Sequence, residues 1–278
     1  QWTNQKHYLQ WLSSLEAYCF PVIGEKPIDE VSVDDLLRIL RPIWNTKTES
    51  ATRIRERIER ILAAAIVRGL KPGPNPAAWR GHLEFLLPKP SKIRQVRHHK
   101  SIPYQELPEL YSDISKSSAV SAYTLRFLIL TAGRTGEVVG ARWNEFSDDT
   151  WVLAASRMKA RREHRVPLST EARKMLMVQN EAASGDYVFH RNGRCLSNMA
   201  MLQFLKRISP NATVHGFRSS FRVWAAEVSG FSSDLAEQAL AHSVGSQLER
   251  AYQRSDLLEQ RRGLMEAWGQ YITGEQVL

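Results

Sequence analysis

The chain is 278 residues long, enough for one large domain or two ordinary ones. Hydrophobic residues make up 43% and charged residues 24%, a balance that excludes intrinsic disorder, and no apolar run approaches the roughly 20 residues of a membrane span. Thirty-eight Lys and Arg against 29 Asp and Glu leave a formal charge of +9, which suits a polyanionic partner and equally a basic enzyme without one. No charged-then-apolar start marks a secretory signal. Two cysteines, Cys19 and Cys195, cannot build a disulfide framework and have no zinc-site spacing around them; they read as ordinary thiols in a reducing cytoplasm. The chain opens on Gln1 rather than Met, as a piece trimmed from a longer protein would.

In chain order, residues 1–70 read as helical. Trp11, Leu12 and Leu15 form a short apolar stripe. In Thr48–Leu70, Ile54, Ile58, Ile61, Leu62, Ala65 and Ile66 recur at helical spacing and predict a core-facing side. Arg53, Arg57 and Arg60 line a neighbouring face, either a solvated charged face or one turned to nucleic acid. Gly69 and Lys71-Pro72-Gly73-Pro74-Asn75-Pro76 break regular structure. Residues 80–100 then carry Arg80, Lys89, Lys92, Arg94, Arg97 and Lys100 against Glu84 alone, with Pro88 and Pro90 inside. That stretch reads as a basic inter-domain linker ending near residue 100.

Leu125–Leu130 is apolar almost all round, as a buried helix is. Trp151–Leu153 and Arg165–Leu168 read as two short strands joined by a basic connection containing Lys159, and Tyr187–Phe189 as a third. Residues 199–272 are mostly helical. No internal repeat, low-complexity tract or glycine-rich phosphate loop is present.

Four places carry candidate chemistry. In Thr131-Ala132-Gly133-Arg134-Thr135-Gly136-Glu137, Arg134 and Glu137 are three apart, a spacing that also suits a plain structural ion pair. In Val214-His215-Gly216-Phe217-Arg218 the same spacing joins His215 to Arg218, on a helix whose core face is Phe217, Phe221, Trp224, Ala225 and Val228 and which Gly230 ends. His242 closes a helix begun near Ser232-Ser233-Asp234, where a histidine also serves as a cap. Tyr252 lies in Arg250–Asp256, ahead of an amphipathic helix carried by Leu257, Leu258, Leu264, Met265, Trp268, Tyr271 and Ile272.

Together, Arg134, Lys159, His215, Arg218, His242 and Tyr252, in that order, resemble the catalytic set of the tyrosine recombinases, the phage and genomic-island integrases. The wording around them is similar too. Thr131–Val138 with Ala141-Arg142-Trp143 resembles the family's first arginine motif. Arg157-Met158-Lys159 through His164–Ser169 resembles its β-hairpin lysine, and Thr213–Arg222 its second arginine box. Val223 departs from the pattern where a polar residue is expected. The resemblance covers residues 120–272 closely and 1–110 more loosely.

The resemblance implies a mainly helical α+β fold. A helical core-binding domain (1–95), the end of a basic linker (96–100) and a catalytic domain with a small antiparallel β-sheet (101–278) would form a C-shaped clamp on a duplex. It implies a site-specific recombinase that integrates or excises a mobile element through a 3′-phosphotyrosine intermediate on Tyr252. Arg134 and Arg218 would bind the non-bridging oxygens, since guanidinium forks engage two at once. Lys159 would protonate the leaving 5′-oxygen, with Arg161, Arg162 and Arg165 as rivals. His215 would accept the tyrosine proton, His242 hydrogen-bond the phosphate, and Glu137 orient Arg134. No metal or other cofactor is expected. Arg53, Arg57, Arg60, Lys89, Lys92, Arg94, Arg97 and Lys100 are the candidate phosphate contacts. Implied partners are double-stranded DNA at attachment-site cores, a homotetramer on DNA with a free monomer one option, and DNA-bending accessory proteins. The place is the bacterial host cytoplasm, at the nucleoid, with no membrane. The last helix docks on a neighbouring protomer or packs in cis, and a further N-terminal domain for arm sites is missing from this chain. Two alternatives remain, a type IB topoisomerase-like relaxing enzyme and a catalytically silent DNA-binding regulator.

Overall fold

The computed structural model describes residues 5–93, 101–181, 185–242 and 255–275. The chain divides into two compact units, residues 1–98 and 99–278. It is mostly helical, with small antiparallel sheets in the second unit. Among the described residues no helix is long and apolar enough to cross a membrane.

The first unit is built from α1 (Gln5–Tyr18), α2 (Phe20–Ile23), α3 (Val33–Trp44), α4 (Thr48–Val67) and α5 (Pro90–Ile93). Ser32 and Asp35 start α3 by capping each other's backbone N–H, satisfying two donors the helix leaves open. Leu36, Leu40, Ile43 and Trp44 then pack against Ile54, Ile58 and Leu62 of α4. Ile61, expected in that stripe, is exposed, and Ile66 is only half-buried. The face that packs runs through residues 51, 54, 58, 62 and 65, and each falls just beyond one of its edges. The basic stretch after the proline-rich break is not free linker throughout. Leu83 and Leu87 are buried, and the Trp44 indole donates to the Pro88 carbonyl at 2.9 Å. Those two leucines, four apart among the charges, hold residues 83–88 on the helical core. The expected linker end, residues 96–100, lies outside the described residues, as do 94 and 95.

The second unit contains α6 (Leu107–Ser115), α7 (Val120–Thr131), α8 (Thr135–Val139), β1 (Phe146–Ser147), β2 (Thr150–Leu153), β3 (His164–Pro167), α9 (Thr170–Glu181), β4 (His190–Arg191), β5 (Arg194–Cys195), α10 (Ala200–Ile208), α11 (Gly216–Glu227), α12 (Ser233–Ala239) and α13 (Leu258–Thr273). α7 is its central helix, with Leu125 and Phe127–Leu130 all buried. β1, β2 and β3 form an antiparallel sheet in that order, with Trp151 opposite Val166 and Leu153 opposite His164. The two strands read from sequence are β2, which starts one residue earlier than read, and β3, which lies one residue earlier at both ends. The third is not a strand. Tyr187 makes a single bridge to Arg142, and Val188 N–H donates once to Ala141 O at 2.9 Å. Val188 and Phe189 are apolar because they are buried, not because they extend a ladder. The hairpin lies just after them, where Asn192 and Gly193 both take positive φ between β4 and β5.

α13 packs into its own unit. Leu264, Met265, Trp268 and Ile272 are buried, Trp268 meets Phe221 and Trp224, and its indole donates to Ile129 O at 2.8 Å. Gly269 permits this approach, because a Cβ there would stand 2.7 Å from the Ser169 side chain. Trp268→Ala removes the largest of these side chains and is expected to cost about 3–5 kcal/mol in urea unfolding. A loss below about 1 kcal/mol would mean that α13 is held mainly by its other contacts.

Candidate active site

The site is assembled where three helix ends meet. α7 stops at Ala132, which is left-handed (φ 47°), and Gly133 follows, where a Cβ would lie 2.8 Å from Val138 Cγ2. This tight turn delivers Arg134 at the start of α8. Buried Glu137 accepts from both the Arg134 backbone N–H and its Nη1, each at 2.8 Å, so the guanidinium is fixed from one side. Arg134 Nη2 points the other way and donates to Leu240 O at 3.2 Å and Ala241 O at 3.4 Å.

Arg218 lies in the first turn of α11 and is 5% exposed. Nη1 donates to Ala132 O, and Nη2 donates to Leu240 O at 2.6 Å and faces His242 Nε2 at 3.2 Å. Arg134 and Arg218 thus converge on one carbonyl oxygen. That oxygen belongs to the C-terminal end of α12, where carbonyls lack helical partners and the helix dipole is negative. Ala241 adopts φ 50°, a left-handed conformation that favours glycine, at the point where the chain leaves this end. Burial, and next the charge of Arg134, push the Arg218 pKa down to about 10, which leaves it protonated near neutrality.

His242 follows directly. Its Nδ1 meets Glu237 Oε2 at 2.5 Å, and Glu237 Oε1 accepts from Arg222 Nε at 2.5 Å. The carboxylate holds the ring by Nδ1 and leaves Nε2 facing Arg218. His215 is exposed at the N-cap of α11, one turn ahead of Arg218.

Lys159 lies in the connection between β2 and β3, exposed and without a partner among the described residues. The base of that connection is tied to α8, because Arg157 pairs with Glu145 and donates to Glu137 O at 2.7 Å. Of the rivals, Arg165 is engaged by Asp256, while Arg161 and Arg162 are exposed. His164 stands at the start of β3. Burial and then the charge of Arg261 push its pKa down to about 4, so it is neutral under physiological conditions.

Arg134, Glu137, Arg218 and His242 are therefore joined in one hydrogen-bonded group, with His215 and the Lys159 connection on elements that feed it. Tyr252 lies outside the described residues, as do Arg94, Arg97 and Lys100. Arg53 pairs with Glu49 at 2.5 Å. Arg57 is turned onto α1, donating to Gln10 O at 2.9 Å and to Ser14 Oγ, with its guanidinium 5.4 Å from the Trp11 ring centre. Arg60, Lys89 and Lys92 are exposed. Among the described residues no group of three or more His, Cys, Asp and Glu comes together as a metal site would.

Sequence reading missed Glu237, Arg222, His164 and the carbonyls of residues 132, 240 and 241. Backbone acceptors have no residue signature, and Glu237 stands five before His242, off the helical three-or-four spacing.

The phage integrase central domain family matches residues 1–82, and the phage integrase family matches residues 100–258. The prophage integrase IntZ of Escherichia coli K12 is 34% identical over 278 residues, covering 97% of this chain and 67% of its own. The prophage integrase IntA of the same strain is 30% identical over 270 residues, covering 93% and 63%. The chain thus spans about two-thirds of the length of these relatives. Among solved structures, a lambda integrase tetramer bound to a Holliday junction superposes with a TM-score of 0.70 at 16% identity, covering 92% of this chain and 73% of that one, a likeness of fold.

Proposed function

The chain belongs to the phage integrase family, the tyrosine recombinases, and from that membership we propose that it cuts and rejoins DNA at specific sites through Tyr252. The observation that carries the reading is the convergence of Arg134 and Arg218 on the Leu240 carbonyl, with His242 alongside. Two fixed guanidiniums in one group suit a phosphorane, whose extra negative charge builds on its non-bridging oxygens.

The Tyr252 oxygen attacks the backbone phosphorus, forming the 3′-phosphotyrosine bond as the bond to the 5′-oxygen breaks. His215 takes the phenol proton, and Lys159 gives one to the departing oxygen. The covalent link stores the phosphodiester energy, so the 5′-hydroxyl of a partner strand can reverse the step. Arg134 and Arg218 neutralise the oxygens, His242 hydrogen-bonds the phosphate, and Glu137 holds Arg134.

Residues 1–95 act as the core-binding domain and 101–278 as the catalytic domain. Arg53, Arg60, Lys89 and Lys92 are the described candidates for phosphate contacts, which position without specifying sequence. Exchange between two duplexes requires four cleavages, so the working assembly is a homotetramer, as the lambda relative is on its junction. Host accessory proteins that bend DNA assist it in the bacterial cytoplasm.

Incubation with two labelled duplexes carrying the attachment-site core of the encoding element is expected to yield exchanged products. Relaxation of supercoiled plasmid without exchange would favour a topoisomerase, and binding without either would favour a silent regulator.

A further inference from the structure

Asp256 stands four residues after Tyr252 in the sequence. Its carboxylate accepts from two arginines at once. Arg165 on β3 meets it with two parallel bonds, Nε to Oδ2 at 2.8 Å and Nη2 to Oδ1 at 2.6 Å. Arg261 of α13 donates from Nη2 to Oδ2 at 2.9 Å and from Nε to the Asp256 main-chain oxygen at 2.7 Å, and its Nη1 donates to the Arg165 carbonyl. Arg261 is 1% exposed, so a buried cation is balanced here by the Asp256 carboxylate. Between Asp256 and α13 the backbone passes through Leu257 at φ 51°, a strained conformation for a branched side chain that persists only where its surroundings hold it.

The three residues join β3, position 256 and α13 in one knot. β3 is the return strand of the hairpin that carries Lys159. Four residues of fully extended chain reach about 14 Å, so fixing Asp256 on β3 bounds how far Tyr252 can stray from that strand.

We propose that Asp256, through Arg165 and Arg261, is a positioning residue for strand cleavage, mooring the tyrosine-bearing segment to the strand that carries the general acid's hairpin. The role rests on the reading of Tyr252 and Lys159 given above. It asks nothing of Asp256 in the chemical step itself.

The test uses nicked suicide duplexes carrying the attachment-site core, with either oxygen or sulfur at the scissile 5′ position, in single-turnover cleavage at saturating protein. Sulfur leaves without a proton, since a thiol has a pKa near ~8.5. It therefore relieves the need for an acid but not for a placed nucleophile. Asp256→Asn is expected to slow cleavage about 10- to 100-fold on both duplexes alike, the scale of a misplaced reactant, with DNA affinity within about twofold of the parent. Asp256→Glu should recover most of the rate, and sulfur should rescue the Lys159→Ala control alone. If Asp256→Asn does not fold, Arg165→Lys, which keeps the charge and loses the two-point contact, supplies the same comparison.

A rate constant within twofold of the parent would overturn the proposal. So would a defect that sulfur erases, or a smaller active fraction cleaving at the parental rate. If the parent chain forms no adduct on either duplex, the Tyr252 reading fails and the proposal with it. In the proposal's own failure the parent cleaves normally.

Discussion

Arg218→Ala is expected to lower single-turnover strand cleavage by about 1,000-fold, equivalent to about 4 kcal/mol of transition-state stabilisation, the upper range for removing one positioned donor. Arg218 is 5% exposed, keeps its proton near neutrality, and is oriented by the carbonyls of Ala132 and Leu240 and by His242. A cation fixed before the reaction needs no reorganisation as charge develops. The alanine variant also leaves the buried Ala132 carbonyl without its donor, costing about 1–3 kcal/mol of stability, while Arg134 still serves Leu240 O. Arg218→Lys separates the two effects, because it keeps the charge and loses the fork. The lysine variant is expected to fold near the parental melting temperature and still cleave at least about tenfold more slowly. Cleavage by both variants within threefold of the parent would remove Arg218 from the reaction.

The helical first unit, the β2–β3 hairpin and the Arg134–Glu137 pair were legible in the sequence because each has a local signature. Ile54, Ile58 and Leu62 repeat at helical spacing and are buried. Trp151 and Val166 sit on facing strands, as two short β-rich runs suggest. Arg134 and Glu137 are three apart, and the ion pair that spacing allows is present. What could not be read depends on partners distant in the chain. Nothing near Arg57 in sequence says that Gln10, Ser14 and Trp11 will take its guanidinium. Nothing in Ala239-Leu240-Ala241 announces that a helix end will hold both Arg134 and Arg218, since alanine and leucine contribute only their backbone there. Tyr187–Phe189 misled for the converse reason. Its apolar character reports burial, which a strand and an irregular segment share, and its backbone makes one bridge only.

Tyr252→Phe is expected to abolish covalent capture of DNA while leaving binding to the core site unchanged. Phenylalanine fills the same volume without the oxygen that would bond to phosphorus. No neighbouring group replaces a nucleophile of this kind, because the reaction stores its energy in that one bond. The variant should therefore behave as a DNA-binding protein with the salt sensitivity of phosphate contacts and no strand transfer.

The most direct measurement is to trap the parent chain on a nicked attachment-site duplex, digest the adduct and locate the phosphorylated residue by mass spectrometry. A DNA 3′-phosphate on Tyr252, absent from Tyr252→Phe, is the predicted result. An adduct on any other residue, or one undiminished in Tyr252→Phe, would contradict the account.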